Sequence, residues 1–143
     1  MTKKKVEIQV KYWYLSSKHD YETMLSLFRT KHYSDALFYG HIVLEKILKA
    51  LVVINRRESA PLIHDLIILV KLTKLELGAG DKKLLQSVYY FNIRSRYPDY
   101  KLEFYKICDY SYTSKYLNRI IALYHALCRH LKQKLSPNDL PGF

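Results

Sequence analysis

The sequence predicts an all-α protein, an up-and-down bundle of four to five helices. Three observations carry that expectation. Apolar residues recur in steps of three and four along several long stretches, which gathers them on single helix faces. The one short alternating run, Val6, Ile8 and Val10, has no partner strand nearby. The 143 residues include only four glycines and four prolines, too few for a turn-rich chain.

The strongest repeat is YSDALFYGHIVLEKILKALVVI, Tyr33 to Ile54. Tyr33, Leu37, Gly40, Leu44, Ile47, Leu51 and Ile54 fall within one narrow stripe at about 100° per residue. The other face carries Asp35, Glu45, Lys46 and Lys49 and is expected to be mostly solvated; Glu45 precedes Lys49 by four residues, the favourable order for a helix pair. Phe38, Ile42 and Val53 also fall on that face, so the helix should be covered from two directions. It reads as the central helix of the bundle. The second cover is either the rest of the chain or a second subunit meeting Phe38, Ile42 and Val53.

The remaining elements follow in order. Lys3 to Lys5 read as a solvated basic tail. A first helix is expected from about Lys11 to Thr30, with Tyr14, Tyr21, Leu25 and Phe28 inside and Trp13 as a lid. Lys31 and His32 leave room only for a tight connection, so the first two helices should be antiparallel neighbours. Arg56 and Arg57 suit the C-terminal end of the central helix, and Pro61 breaks the chain after it. A third helix is expected from near His64 to Leu75, with Leu62, Leu66, Leu69 and Leu72 as its stripe and His64 and Asp65 at its cap. Asp81 is the expected cap of a fourth helix built on Leu84, Leu85, Val88 and Phe91. That helix should end near Arg96, because Pro98 disfavours helix at Tyr97. A long loop to about Tyr112 follows, with one short turn at Phe104 to Ile107; loops of that length tend to be functional. The last helix should run from about Ser114 to Leu135 on Leu117, Ile120, Tyr124, Leu127 and Leu131. Residues 136–143 read as a frayed tail, and the chain as one domain with its core at about 11–135.

Composition narrows the function. Twenty-four Lys and Arg against thirteen Asp and Glu give a net charge of +11, which favours phosphate-bearing partners. Fourteen tyrosines can stack on bases, although many stand at helical spacing beside leucines. No apolar run approaches the ~20 residues of a membrane span, and the lysine-rich start has no apolar segment of a secretory signal. Cys108 and Cys128 are too few for a disulfide framework, which suggests a reduced, cytoplasmic protein. His125, Cys128 and His130 do not share one helix face, so no metal is expected. No glycine-rich phosphate loop occurs, and no cofactor is expected.

Several stretches together resemble the HEPN domain family: the Trp13–Tyr14 opening with Asp20, HIVLEKILKAL at 41–51, Pro61 with HDL at 64–66, and RYPD at 96–99. The resemblance covers roughly residues 12 to 135. It implies a bundle of four or five helices that commonly pairs as a homodimer. It also implies one of two activities: nucleotide binding beside a minimal nucleotidyltransferase in a toxin–antitoxin-like pair, or metal-independent ribonuclease action. The family's ribonucleases carry an arginine, four to six residues, then a histidine, usually just before the last long helix. Here Arg94 and Arg96 occupy that region, but no histidine follows either within ten residues. Arg57 with His64 and Arg119 with His125 match the spacing elsewhere, the first across a loop with Pro61 and the second inside the last helix. A histidine would be needed as acid or base, so a non-catalytic nucleotide- or RNA-binding accessory module is the leading expectation. A divergent ribonuclease and a dimerisation scaffold are the alternatives.

Arg94, Arg96 and Tyr97 are the first candidates for ligand contact, because a guanidinium binds phosphate bidentately and a neighbouring ring can hold a base. Arg96, beside Tyr97 and three residues from Asp99, is expected to anchor the loop while Arg94 meets the ligand. His64, Lys46 and Lys49 complete the set.

Overall fold

The computed structural model describes residues 1–135. Its elements are α1 (Lys3–Arg29), α2 (Tyr33–Arg56), α3 (Leu66–Thr73), α4 (Ala79–Arg96), α5 (Pro98–Ile107) and α6 (Tyr110–Lys134). These are six helices, one more than expected, with no strand among the described residues. The tail expected at 136–143 lies outside them.

Helix α2 is the centre: α1, α3, α4, α5 and α6 all pack on it. Leu37, Leu44, Ile47 and Leu51 are fully buried, as the stripe requires, and so are Val43, Leu48, Ala50 and Val53. The helix is therefore covered nearly all round. Val53 is 0% exposed and sits in the core, which removes it from any surface that a second subunit could meet. Phe38 and Ile42 remain half-buried. Gly40 sets the approach of α6: a Cβ there would stand 2.8 Å from Ile120 Cδ1. Thr30 to His32 make the tight turn into α2, with Lys31 at φ 64°.

The first helix begins eight residues before its expected start, and Lys3 to Lys5 are its exposed first turn rather than a tail. Thr2 caps it, accepting a hydrogen bond from the Lys5 N–H at 3.2 Å. Val6 and Val10 are buried four residues apart while Ile8 is 59% exposed, so the apparent alternation belongs to a helix face. Helix α3 is shorter than expected because Asp65 is extended and accepts from the Ile67 and Ile68 N–H groups. Leu62 lies ahead of this cap and is 96% exposed, not part of the stripe. Gly78 replaces Asp81 as the residue before α4, and Asp81 falls in the first turn.

The long loop is the largest correction. Pro98 does push Tyr97 out of the helical region (φ −93°, ψ 126°), ending α4 at Arg96. It then serves as the first residue of α5, where its fixed φ and missing N–H suit a helix start. Phe104 holds α5 to the bundle, fully buried with its ring 5.5 Å from that of Phe91. Helix α6 starts at Tyr110, four residues early, because the Asp109 carboxylate accepts from the Tyr112 N–H at 2.8 Å.

Candidate functional site

Of the polar face of α2, Asp35 is exposed as expected, but Glu45, Lys46 and Lys49 do not face open water. His41, Glu45 and Lys49 stand four residues apart and form a ridge along one side of the helix. Lys49 is only 4% exposed: its Nζ donates to Glu45 Oε2 at 3.2 Å and lies 5.1 Å from the Trp13 ring centre. Lys46 donates to Ser16 Oγ at 2.7 Å and to Asp20 Oδ2 at 2.5 Å. Around Lys46 and Lys49 the expected solvated face is thus occupied by α1, which brings Trp13, Ser16 and Asp20 against it. Lys46 and Lys49 are paired within the bundle and are not gathered with the other candidate ligand residues.

Glu45 turns its second oxygen the other way. Oε1 lies 3.0 Å from His64 Nδ1 and 3.9 Å from His41 Nε2. His41 Nε2 is also 3.0 Å from the His64 carbonyl oxygen, and a carbonyl only accepts, so Nε2 carries the proton. His41 Nδ1 is buried without a hydrogen-bond partner. Burial pushes the His41 pKa below its ordinary value; the carbonyl bond and Glu45 oppose that, while His64 and Arg96 add to it. Asp65 alone caps α3, and the exposed His64 ring is held by Glu45 instead.

Beside this pair opens a cleft of about 490 Å³ between the end of α4 and the start of α5. His64, Tyr89, Asn92, Arg96, Tyr97 and Tyr100 line it. Arg96 is exposed and makes no ion pair with Asp99 among the described residues. Arg94 leaves the helix in another direction, half-buried, with its guanidinium carbon 5.2 Å from the Phe104 ring centre. Arg94 packs against α5, whereas Arg96, expected to anchor the loop, faces the cleft. The two arginines follow α4 to its last turn, where a step of two residues sends them to nearly opposite sides.

Of the residues expected at a site, the fold brings together His64, Arg96 and Tyr97. Tyr89, Asn92 and Tyr100 join them in the cleft, and His41 and Glu45 contact His64 beside it, none of the five having been expected at a site. Their signal was present as spacing: steps of four for His41, Glu45 and Lys49, and steps of three and four for Tyr89, Asn92 and Arg96. The Arg119–His125 spacing leads elsewhere, since Arg119 donates to the Gly80 carbonyl at 3.0 Å and His125 Nε2 is 3.3 Å from the Tyr21 hydroxyl. No three of His, Cys, Asp and Glu gather as a metal site among the described residues.

Compared with known protein families, residues 10–134 match the HEPN domain. The chain belongs to the HEPN domain family. Neither the curated proteins nor the solved structures contain a match. Membership points to an RNA-related or nucleotide-binding helical module. Four sequence stretches that resemble HEPN proteins meet physically in this fold. HIVLEKILKAL supplies His41, Glu45 and Lys49; HDL supplies His64; RYPD supplies Arg96 and Tyr97; and Asp20 holds Lys46. No helix among the described residues of this HEPN chain is long and apolar enough to cross a membrane.

Proposed function

We propose that this HEPN chain is a cytoplasmic nucleotide- or RNA-binding accessory module whose ligand occupies the cleft between His64 and Arg96. One feature carries the reading: an exposed guanidinium, Arg96, stands with the rings of Tyr89, Tyr97 and Tyr100 around one opening of about 490 Å³. The guanidinium grips phosphate oxygens through paired N–H groups, and a ring stacks on a base. The volume lies within the ~300–1,000 Å³ of small-molecule sites. Glu45 orients His64, which offers a second polar contact, and the net charge of +11 draws anionic ligands inward.

The test is a pair of substitutions read by nucleotide binding and by melting. Arg96→Ala weakens binding about ten- to a hundredfold, the loss of a charge-assisted contact of about 1.5–3 kcal/mol, with Tm nearly unchanged. Arg94→Ala lowers Tm, because it uncovers the Phe104 ring, and leaves mononucleotide affinity close to wild type. Equal affinity in wild type and Arg96→Ala would move the ligand out of this cleft.

A second reading, a divergent metal-independent ribonuclease, draws support from one observation. His64 and Arg96 share the cleft although 32 residues separate them in sequence, so an acid–base histidine and a phosphate-binding arginine meet across elements. Glu45 at Nδ1 would fix the ring and leave Nε2 for proton transfer. RNA cut without metal by wild type and left whole by His64→Ala would establish this reading; RNA left whole by both keeps the binding module. A minimal nucleotidyltransferase in a toxin–antitoxin-like pair is the partner that the HEPN resemblance suggests.

A further inference from the structure

The cleft at Arg96 is not isolated. A second cleft of about 400 Å³ is lined by Tyr90, Ile93, Arg94, Tyr100 and Glu103. It shares Ile93 and Tyr100 with the first. A third, of about 340 Å³, includes Tyr90, Arg94, Tyr112 and Tyr116 and shares Tyr90 and Arg94 with the second. Together they form one trough around the C-terminal half of α4. At about 100° per residue, Arg94 and Arg96 project about 160° apart around that helix, too divergent to clamp one phosphate together. Between them stand Tyr90, 63% exposed, and Tyr100, 51% exposed. Lys101 and Lys106 add positive charge along α5, against Asp99 and Glu103.

We infer that this trough is a track for single-stranded RNA, with Arg96 and Arg94 meeting successive phosphates and Tyr100 and Tyr90 stacking on successive bases. The inference rests on the nucleotide-binding reading of the first cleft and extends it from one nucleotide to several. Exposed rings alternating with cations are the arrangement that binds single strands, because every base has a face to stack and every linkage a charge to neutralise. A bound strand would also cover the exposed Tyr90 and Tyr100 rings. Selectivity of the kind a base-edge reader shows is not expected, since stacking tolerates any base.

The experiment compares uridine monophosphate with a fluorescein-labelled eight-nucleotide oligouridylate on the full chain. Wild type binds the octamer at least about tenfold tighter than the monophosphate. Tyr90→Ala weakens the octamer about 5- to 150-fold and leaves the monophosphate unchanged, because Tyr90 does not line the first cleft. Tyr90→Phe, which keeps the ring, restores octamer binding. Equal affinity for the two ligands, or octamer binding indifferent to Tyr90→Ala, overturns the track. If Arg96→Ala still weakens the monophosphate in that case, the nucleotide site stands and the track alone falls. Conversion of a wild-type dimer to monomer by Tyr90→Ala would assign this face to a second copy and also overturn the track.

Discussion

Glu45 connects more of the site than any other side chain. Its carboxylate receives Lys49 on one oxygen and His64 on the other, and it lies near His41. His41 gives this cluster a pH dependence whose sign follows from its burial. Its folded pKa lies below the unfolded value of about 6.5, so the unfolded chain binds the proton more readily in the interval between them. Stability contributed by neutral His41 is complete above about 6.5, falls as pH drops through that value, and stops falling below the folded pKa. Protonation would also place an N–H at Nδ1, where no acceptor waits. His41→Gln, which keeps a donor toward the His64 carbonyl, should therefore lose less stability than wild type between pH 7.5 and 5.5, as read by urea midpoints. Identical pH dependence in both proteins would show that His41 does not titrate on unfolding in this range.

At the scale of elements, α5 is the least secured helix. Its ten residues are too few to be stable alone, and Phe104 is its only buried residue. Phe104→Ala should cost about 3–5 kcal/mol if the whole bundle loses that packing. Hydrogen exchange over residues 98–107 should rise to near the unstructured rate before the other helices respond. Exchange in α5 that stays as slow as in α2 would show that contacts other than Phe104 hold it. The sequence signal for α5 was obscured because Pro98 reads equally as the stop of one helix and the start of another. Only Phe104 meeting Phe91 and Arg94 decides that the chain turns and continues as helix. The early start of α1 was obscured in the same way, since Val6, Ile8 and Val10 satisfy a two-residue period before a helix neighbour selects the four-residue one.

At the scale of the whole molecule, a homodimer is proposed through the N-terminal half of α2, where Phe38 and Ile42 remain half-exposed. The wild type should sediment near twice 17.1 kDa. Ile42→Asp should give a monomer with unchanged helical circular dichroism, whereas Val53→Asp should lose the helix signal because Val53 lies in the core. A wild-type monomer at micromolar concentration would remove the dimer.

The sequence by itself determined the all-α class, five of the six helices, the central position of α2 and the family. Helical periodicity is a local property, and the stripe from Leu37 to Leu51 states which face must leave water. It also contained Arg96, Tyr97 and His64 as candidates. Only the tertiary structure decided which of two nearby arginines faces the cleft, and that Lys46 and Lys49 are paired inside. Those outcomes depend on where α1 and α5 cross α2 and α4. Trp13, Ser16 and Asp20 reach the lysines, and Phe104 reaches Arg94, across distances in sequence that no single-helix pattern encodes.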